Sequence, residues 1–268
     1  PIQVSYLGYP GTLGCPHIDY LVADPVLIPA GQRPHYTEHI VFMPGSYQCN
    51  DSLRPIPQQV PARATVGLPE GALVFAAFNT LFKLTPEVFR AWVEILQAVP
   101  NSVLWLLEGH PDAMANLRRE VGRAGLDPQR LVFAPRMPLA EHLARHGCAD
   151  LFLDTFPYNA HTTASDALWA GLPVLTLAGQ GFASRVAASL LHAVELPELV
   201  THNLADYVQT AIALARDPQR RAQLRTQLIA ARASSPLFDA GAFARQLEQA
   251  YATMVDFRRR DVAPQDIH

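Results

Sequence analysis

The sequence predicts an α/β fold built on a parallel sheet with helices on both faces. From residue 72 onward, short apolar runs alternate with amphipathic helical stretches, the pattern of parallel strands joined by crossover helices. Several of those runs end in polar loops that lead into helix starts, the places where ligands bind in open α/β sheets. With 268 residues, 49% of them hydrophobic and 17% charged, the chain can bury a sizeable core.

The expected strands are Leu73–Phe78, Val103–Leu107, Leu131–Ala134, Asp150–Asp154 and Pro173–Leu177. Between them, Pro86–Val99 follows Thr85, a good N-cap, and places Pro86 at the first helical position, where its missing N–H is no loss. A second helix, Pro111–Gly125, ends in a glycine suited to the left-handed residue that closes helices. After Leu177 the pattern is helical, over Ala183–Leu191, Leu204–Arg216, Pro218–Ala233 and Ala242–Phe257, with no further strong strand. Upstream, Ile2–Leu7, Asp19–Ala23 and His39–Met43 are short strand candidates, too few to enclose a core of their own. Residues 44–69 carry five prolines and read as an extended connection, so the expected division is a first unit over 1–62 and a second over 63–268. The chain begins at Pro1 directly in a strand-like run, which suggests a piece cut from a longer protein.

A net charge of −3 gives no global attraction to nucleic acid, and Arg258-Arg259-Arg260 reads as a solvated tail. Cys15, Cys49 and Cys148 are too scattered for a zinc site or a disulfide framework, which points to reduced thiols and a cytoplasmic protein. No apolar run reaches the ~20 residues of a membrane span, and no signal pattern opens the chain. No membrane or nucleic-acid partner is expected.

Three loops carry the candidate chemistry. The first, Phe78 to Lys83, contains Thr80 and ends in a lysine able to meet a diphosphate as a point charge; a solvated lysine beside a helix start is the plainer alternative. In the second, from Ala134 to His142, backbone groups could pair with a base edge and His142 could lie against its face, although an isolated histidine is more often an ordinary helix residue. The third, Asp154 to Asp166, delivers His161, Thr162 and Thr163 to a helix N-terminus, whose free N–H groups and positive partial charge suit phosphate. Thr163 and Asp166 also match a capping box, so local physics leaves capping and ligand binding evenly weighted. Near the start, Leu7-Gly8-Tyr9-Pro10-Gly11-Thr12 follows the first strand and permits close backbone approach, or is a plain turn.

Taken jointly, Leu7-Gly-Tyr-Pro-Gly-Thr, Phe78-Asn-x-x-x-Lys, Val99-Pro-Asn-Ser-Val-Leu-Trp-Leu-Leu, Ala160-His-Thr-Thr, Leu168-Trp-Ala-Gly, Ala183-Ser-Arg-Val-Ala-Ala-Ser and Ser234-Ser-Pro-Leu-Phe resemble the catalytic region of the protein O-linked N-acetylglucosamine transferase and SPINDLY family over nearly the whole chain. The resemblance implies a GT-B architecture of two Rossmann-like lobes. Residues 1–62 would be the remnant of the N-terminal lobe and 63–268 the C-terminal, nucleotide-sugar-binding lobe. It implies that Lys83 contacts the diphosphate and steadies the leaving group, that His142 lies against uracil, and that the backbone of Met137, Pro138 and Leu139 reads the base edge. By the same resemblance Thr80 and Arg145 belong to the nucleotide site, His161, Thr162 and Thr163 hold phosphates, Asp166 hydrogen-bonds the ribose, and Leu7, Gly8 and Pro10 line the sugar pocket. Thr80 stands where the animal enzymes have Gln, and Leu139 where they have a ribose-contacting Lys.

The activity so implied is inverting transfer of N-acetylglucosamine from UDP-GlcNAc to Ser or Thr hydroxyls of proteins, with no cofactor. The catalytic base and superhelical tetratricopeptide repeats would lie upstream of Pro1, so this chain alone is expected to be inactive. No Asp-x-Asp pair occurs, which fits metal-independent chemistry. A GDP-fucose-using protein O-fucosyltransferase and a non-catalytic nucleotide-binding module are the alternatives.

Overall fold

The computed structural model describes residues 1–55 and 59–268. Within them, two parallel sheets organise the fold. Strands β1 (Val4–Ser5), β2 (Tyr20–Ala23) and β3 (His39–Phe42) form the smaller one, in sequence order. The larger sheet contains β4 (Leu73–Ala77), β5 (Ser102–Leu107), β6 (Leu131–Ala134), β7 (Leu151–Leu153), β8 (Val174–Leu177) and β9 (Val200–Thr201), in the order β6-β5-β4-β7-β8-β9. All its pairings are parallel, and β5 and β7 are buried along their whole length, which is why these strands read as unbroken apolar runs rather than alternating ones.

Among the described residues, eight α-helices connect and cover the strands. They are α1 (Pro86–Ala98), α2 (Pro111–Arg123), α3 (Leu139–Arg145), α4 (Thr162–Trp169), α5 (Val186–Ala193), α6 (Leu204–Arg216), α7 (Pro218–Ala231) and α8 (Ala240–Arg259). The α1 start forms as its sequence dictates: the Thr85 side chain accepts from the Val88 amide at 3.3 Å, with Pro86 in the first turn. Its Val88, Trp92, Ile95 and Leu96 form one buried stripe at helical spacing. Gly125 takes the expected left-handed conformation after α2, with φ +80°. After Leu177, where no strong strand is expected, the structure adds β9, a two-residue edge strand too short to show periodicity, paired with Thr176 and Leu177 of β8.

The smaller sheet has no complete core of its own. On one face Tyr20, Val22, Val41 and Met43 pack against Ala250 and Met254 of α8, while Leu21, Ala23 and Ile40 on the other join the main core. Residues 264–268 also return to this sheet, where the Phe42 amide donates to the Ile267 carbonyl at 2.8 Å and Arg33 forms a bidentate pair with Asp266 at 2.7 and 2.8 Å. The proline-rich connection, whose residues 56–58 lie outside the described ones, is partly packed into the fold: Ser46, Tyr47, Gln48 and Asn50 are buried.

The C-terminal ends of the two sheets face one another. Just beyond β2, the Val26 carbonyl accepts from Arg185 Nε at 2.7 Å and the Asp24 carboxylate accepts from the Ser189 hydroxyl at 2.6 Å, both partners lying beyond β8. Gln32 Nε2 donates to Gln180 Oε1 at 2.9 Å across the same junction. The loops that follow the strands therefore open toward a common region.

Candidate nucleotide-sugar site

The strand order reverses direction at β4 and β7. The chain runs outward from β4 to β5 and β6, then crosses back through α3 to β7 on the other side of β4, and such a switch point leaves a crevice between diverging loops. The loops after β4 and β7 flank that crevice, and side chains tie them together. Asn79 Nδ2 donates to Thr155 Oγ1 at 2.8 Å, and Asn79 Oδ1 accepts from Thr163 Oγ1 at 2.5 Å. Thr163 is thus drawn to the switch point, not to the capping box its sequence permits. The N-cap position of α4 is His161 and no side chain caps this helix. The first intrahelical-type bond at this end runs from the Ser165 amide to the His161 carbonyl, so the amides of 162–164 form the open helix start.

Lys83 reaches the same place. Its ammonium donates to the Asn159 carbonyl at 2.8 Å and sits 4.0 Å from the centre of the Tyr158 ring. Burial lowers its pKa to about 8, the Asp154 charge acting in the opposite direction. Tyr158 stacks in turn on His161, with ring centres 5.0 Å apart, and His161 Nε2 donates to the Ala183 carbonyl at 3.3 Å. The loop carrying these groups hangs on Asp154, 0% exposed, whose Oδ1 accepts from the Thr155 and Ala160 amides at 2.8 and 2.6 Å and whose Oδ2 accepts from Thr176 Oγ1 at 2.7 Å. Burial pushes this carboxyl up to about 7 against those three hydrogen bonds.

The third loop, after β6, presents Pro135–Pro138 and then α3. His142 is half-buried and braced edge-on by Phe78 at 5.3 Å and His146 at 4.7 Å, while His146 Nδ1 donates to the His142 carbonyl at 2.7 Å. Arg145 is buried, donates to the Pro135 carbonyl at 2.6 Å and lies 4.6 Å from the Phe78 ring centre, so it holds the loop as well as lining it. Leu139 is 48% exposed and Met137 is partly covered. Thr80 caps a short turn over Leu81–Lys83 through backbone geometry alone.

Asp166 is engaged by the connection between the units. One turn below the α4 start, its Oδ1 accepts from Arg54 Nη1 at 2.5 Å, Arg54 Nη2 donates to Asn50 Oδ1 at 2.5 Å, and Asn50 also accepts from Ser165. The connection between the units is thereby clamped to the helix that presents Thr162 and Thr163. Leu7, Gly8 and Pro10 sit in the loop after β1, on the smaller sheet's side of the junction. Asn79, Asp154, Tyr158 and Arg54 were not singled out from the sequence. The polar ends of the β4 and β7 runs are a signal for the first two, whereas Arg54 pairs with Asp166 across 112 residues and leaves no local trace.

Three imidazoles in this region are held neutral. Burial lowers His142 and His161 to about 4 and His146 to about 3, with nearby positive charge adding to each. A histidine depressed in the folded state contributes stability above its unfolded value of about 6.5 and loses it as pH falls toward the folded value. Asp24, Asp154 and Asp166, raised in the folded state by burial, act with the opposite sign, while Glu38 and Asp266, lowered by their hydrogen bonds, add to the loss at the acid end; the three imidazoles, each held two pH units or more below its ordinary value, outweigh the carboxyls. The urea unfolding midpoint is therefore expected to fall between pH 6.5 and 4.5, and a flat or rising midpoint would contradict the three buried neutral rings.

The model of glycosyl transferase family 41 matches residues 1–58 and 52–247. The chain is 38% identical over 271 residues to the probable UDP-N-acetylglucosamine–peptide N-acetylglucosaminyltransferase SEC of Arabidopsis thaliana, covering 99% of this chain and 28% of that protein. It is 36% identical to the similarly named SPINDLY of Solanum lycopersicum, over 95% of this chain and 27% of that protein. Among solved structures, the O-GlcNAc transferase of Thermobaculum terrenum superposes with a TM-score of 0.85 at 35% identity, over 95% of this chain and 48% of that one. The glycosyltransferase WaaG shares the fold at 16% identity, with a TM-score of 0.61 over 89% of this chain and 64% of that one. The chain thus spans little more than a quarter of the length of the curated relatives. Matched along nearly all its residues in sequence and fold, it belongs to glycosyl transferase family 41.

Proposed function

We propose that this chain is the nucleotide-sugar half of a cytoplasmic protein O-GlcNAc transferase, which moves N-acetylglucosamine from UDP-GlcNAc to Ser or Thr hydroxyls. The observation that carries the reading is the convergence of Lys83, Thr163 and the open α4 start on one switch point, with His142 on a neighbouring loop. In this reading the uracil lies against the neutral His142 ring and pairs with the backbone of Met137, Pro138 and Leu139, near Arg145. The diphosphate meets Lys83, Thr162, Thr163 and the helix amides beside His161 and Thr80. The Asp166–Arg54 pair faces the ribose, and Leu7, Gly8 and Pro10 enclose the sugar.

The acceptor hydroxyl attacks the anomeric carbon as the bond to the β-phosphate oxygen breaks, with inversion, and its proton passes to a general base that is not among the residues named above. Negative charge grows on the departing UDP, and the Lys83 ammonium and helix amides are fixed donors aimed at it before the reaction begins. The reading requires no metal to balance that charge.

Lys83 must carry its proton to do this. With its pKa lowered to about 8, kcat/KM for the donor is expected to fall above pH 8, tenfold per pH unit in the limit. A pH–rate profile of the full-length protein with UDP-GlcNAc and a peptide acceptor tests this, and a plateau extending past pH 10 would remove Lys83 from the role.

A further inference from the structure

Glu38 is a fully buried carboxylate, 0% exposed, that lies immediately before β3 and belongs to none of the groups assigned above to the donor. Its Oε1 accepts from the Leu13 amide at 2.6 Å. Its Oε2 accepts from the Thr12 hydroxyl at 2.6 Å and from the Thr37 hydroxyl at 3.2 Å. Burial disfavours its charged form, yet these hydrogen bonds, with one from its own amide, outweigh burial and hold its pKa below the ordinary value. A carboxylate so engaged is an ionised anchor.

What it anchors is the loop from Leu7 to Gly14. That stretch lies between β1 and β2, carries no regular element, and has left-handed backbone at Leu7 and Gly14, with φ +59° and +60°. Its local backbone bonds are short turns, Gly8 to Tyr6 and Gly11 to Tyr9. Leu7, Tyr9 and Leu13 are 46, 57 and 47% exposed, so packing does little to fix them. The Glu38 bonds reach across 25 and 26 residues and, with the Thr12–Thr37 hydroxyl pair at 3.3 Å beside them, tie the loop to the start of β3. Because the loop follows a strand of the smaller sheet, it opens at the junction where the C-terminal ends of both sheets meet.

We propose that Glu38 is a positioning residue for the donor sugar: by gripping Thr12 and Leu13 it sets the Leu7–Gly14 loop as the wall opposite the nucleotide cradle. This rests on the reading of UDP-GlcNAc as donor. The groups that hold the nucleotide come from the loops after β4, β6 and β7, so Glu38 governs handling of the sugar and not affinity for the nucleotide.

The test uses the full-length protein with Glu38→Gln and Thr12→Val, measuring kcat/KM for UDP-GlcNAc, the Kd for UDP by calorimetry, and thermal midpoints. Glu38→Gln is expected to lower kcat/KM about tenfold or more, and Thr12→Val roughly threefold or more, since each loses hydrogen bonds to a buried charge. The UDP Kd should stay within about twofold of wild type in both, a ratio that general loosening of the fold would not preserve. Equal losses in kcat/KM and UDP affinity, or no loss of either, would overturn the inference. Thr12→Val keeps the carboxylate and decides the matter if Glu38→Gln does not fold. A wild-type protein that binds UDP without transferring from UDP-GlcNAc overturns the donor reading itself, whereas wild-type transfer with both variants unimpaired overturns only the role of Glu38.

Discussion

Replacing Lys83 with alanine is expected to lower kcat by about 10²–10³-fold, the usual effect of removing one preorganised donor from a developing charge. The fold should not suffer. The ammonium is half-desolvated, bonded to one carbonyl and set against one aromatic ring, and the pKa lowered to about 8 shows that burial outweighs the attraction of Asp154 for its charge. Removing such a group strands a single acceptor, the carbonyl of buried Asn159, a cost of about 1 kcal/mol. Thermal unfolding should therefore move little while turnover collapses, and UDP affinity should fall less than kcat, because the charge on UDP is greatest as the bond breaks. A variant that keeps more than about a tenth of wild-type turnover would show that the helix amides and Thr162 and Thr163 stabilise the leaving group without the lysine.

The largest loss of stability is expected from Asp154→Ala, about 3–5 kcal/mol, because it strands two amides and a hydroxyl in a fully buried place. Asp154→Asn should cost much less, about 1 kcal/mol. Both amides donate to the single oxygen Oδ1, which an asparagine retains, and its NH₂ group can donate to Thr176 Oγ1 in place of accepting from it. That contrast, read from denaturant midpoints, separates hydrogen bonding from charge. A charge-based role would make the two substitutions equally severe. The alanine variant should also lose UDP affinity, since the 155–160 loop carries Tyr158 and the carbonyl that holds Lys83.

Much of the fold was legible because parallel strands buried on both faces leave unbroken apolar runs, and because Thr85, Pro86 and Gly125 carry their backbone preferences locally. The loops were legible where they follow strand ends: those after β4 and β7, which carry Lys83 and Thr163, are tied together by the Lys83–Asn159 and Thr163–Asn79 hydrogen bonds. What escaped was fixed by distant partners. Thr163 and Asp166 satisfy a capping box in sequence, yet Asn79 takes the first and Arg54 the second, and neither competitor is near in the chain. Asp154 looked like the last residue of a strand, and only its three donors reveal it as the peg on which the loop from Thr155 to Ala160 hangs. Strand β9 escaped because two residues carry no period.

The central claim, that the loops after β4, β6 and β7 form one uridine-diphosphate site, is tested most directly by calorimetric titration of the full-length protein with UDP and with GDP. A binding isotherm for UDP at least about tenfold tighter than for GDP is expected, since a base read by backbone groups beside His142 loses paired hydrogen bonds when a purine replaces it. Tighter binding of GDP, or no binding of UDP, would contradict the account.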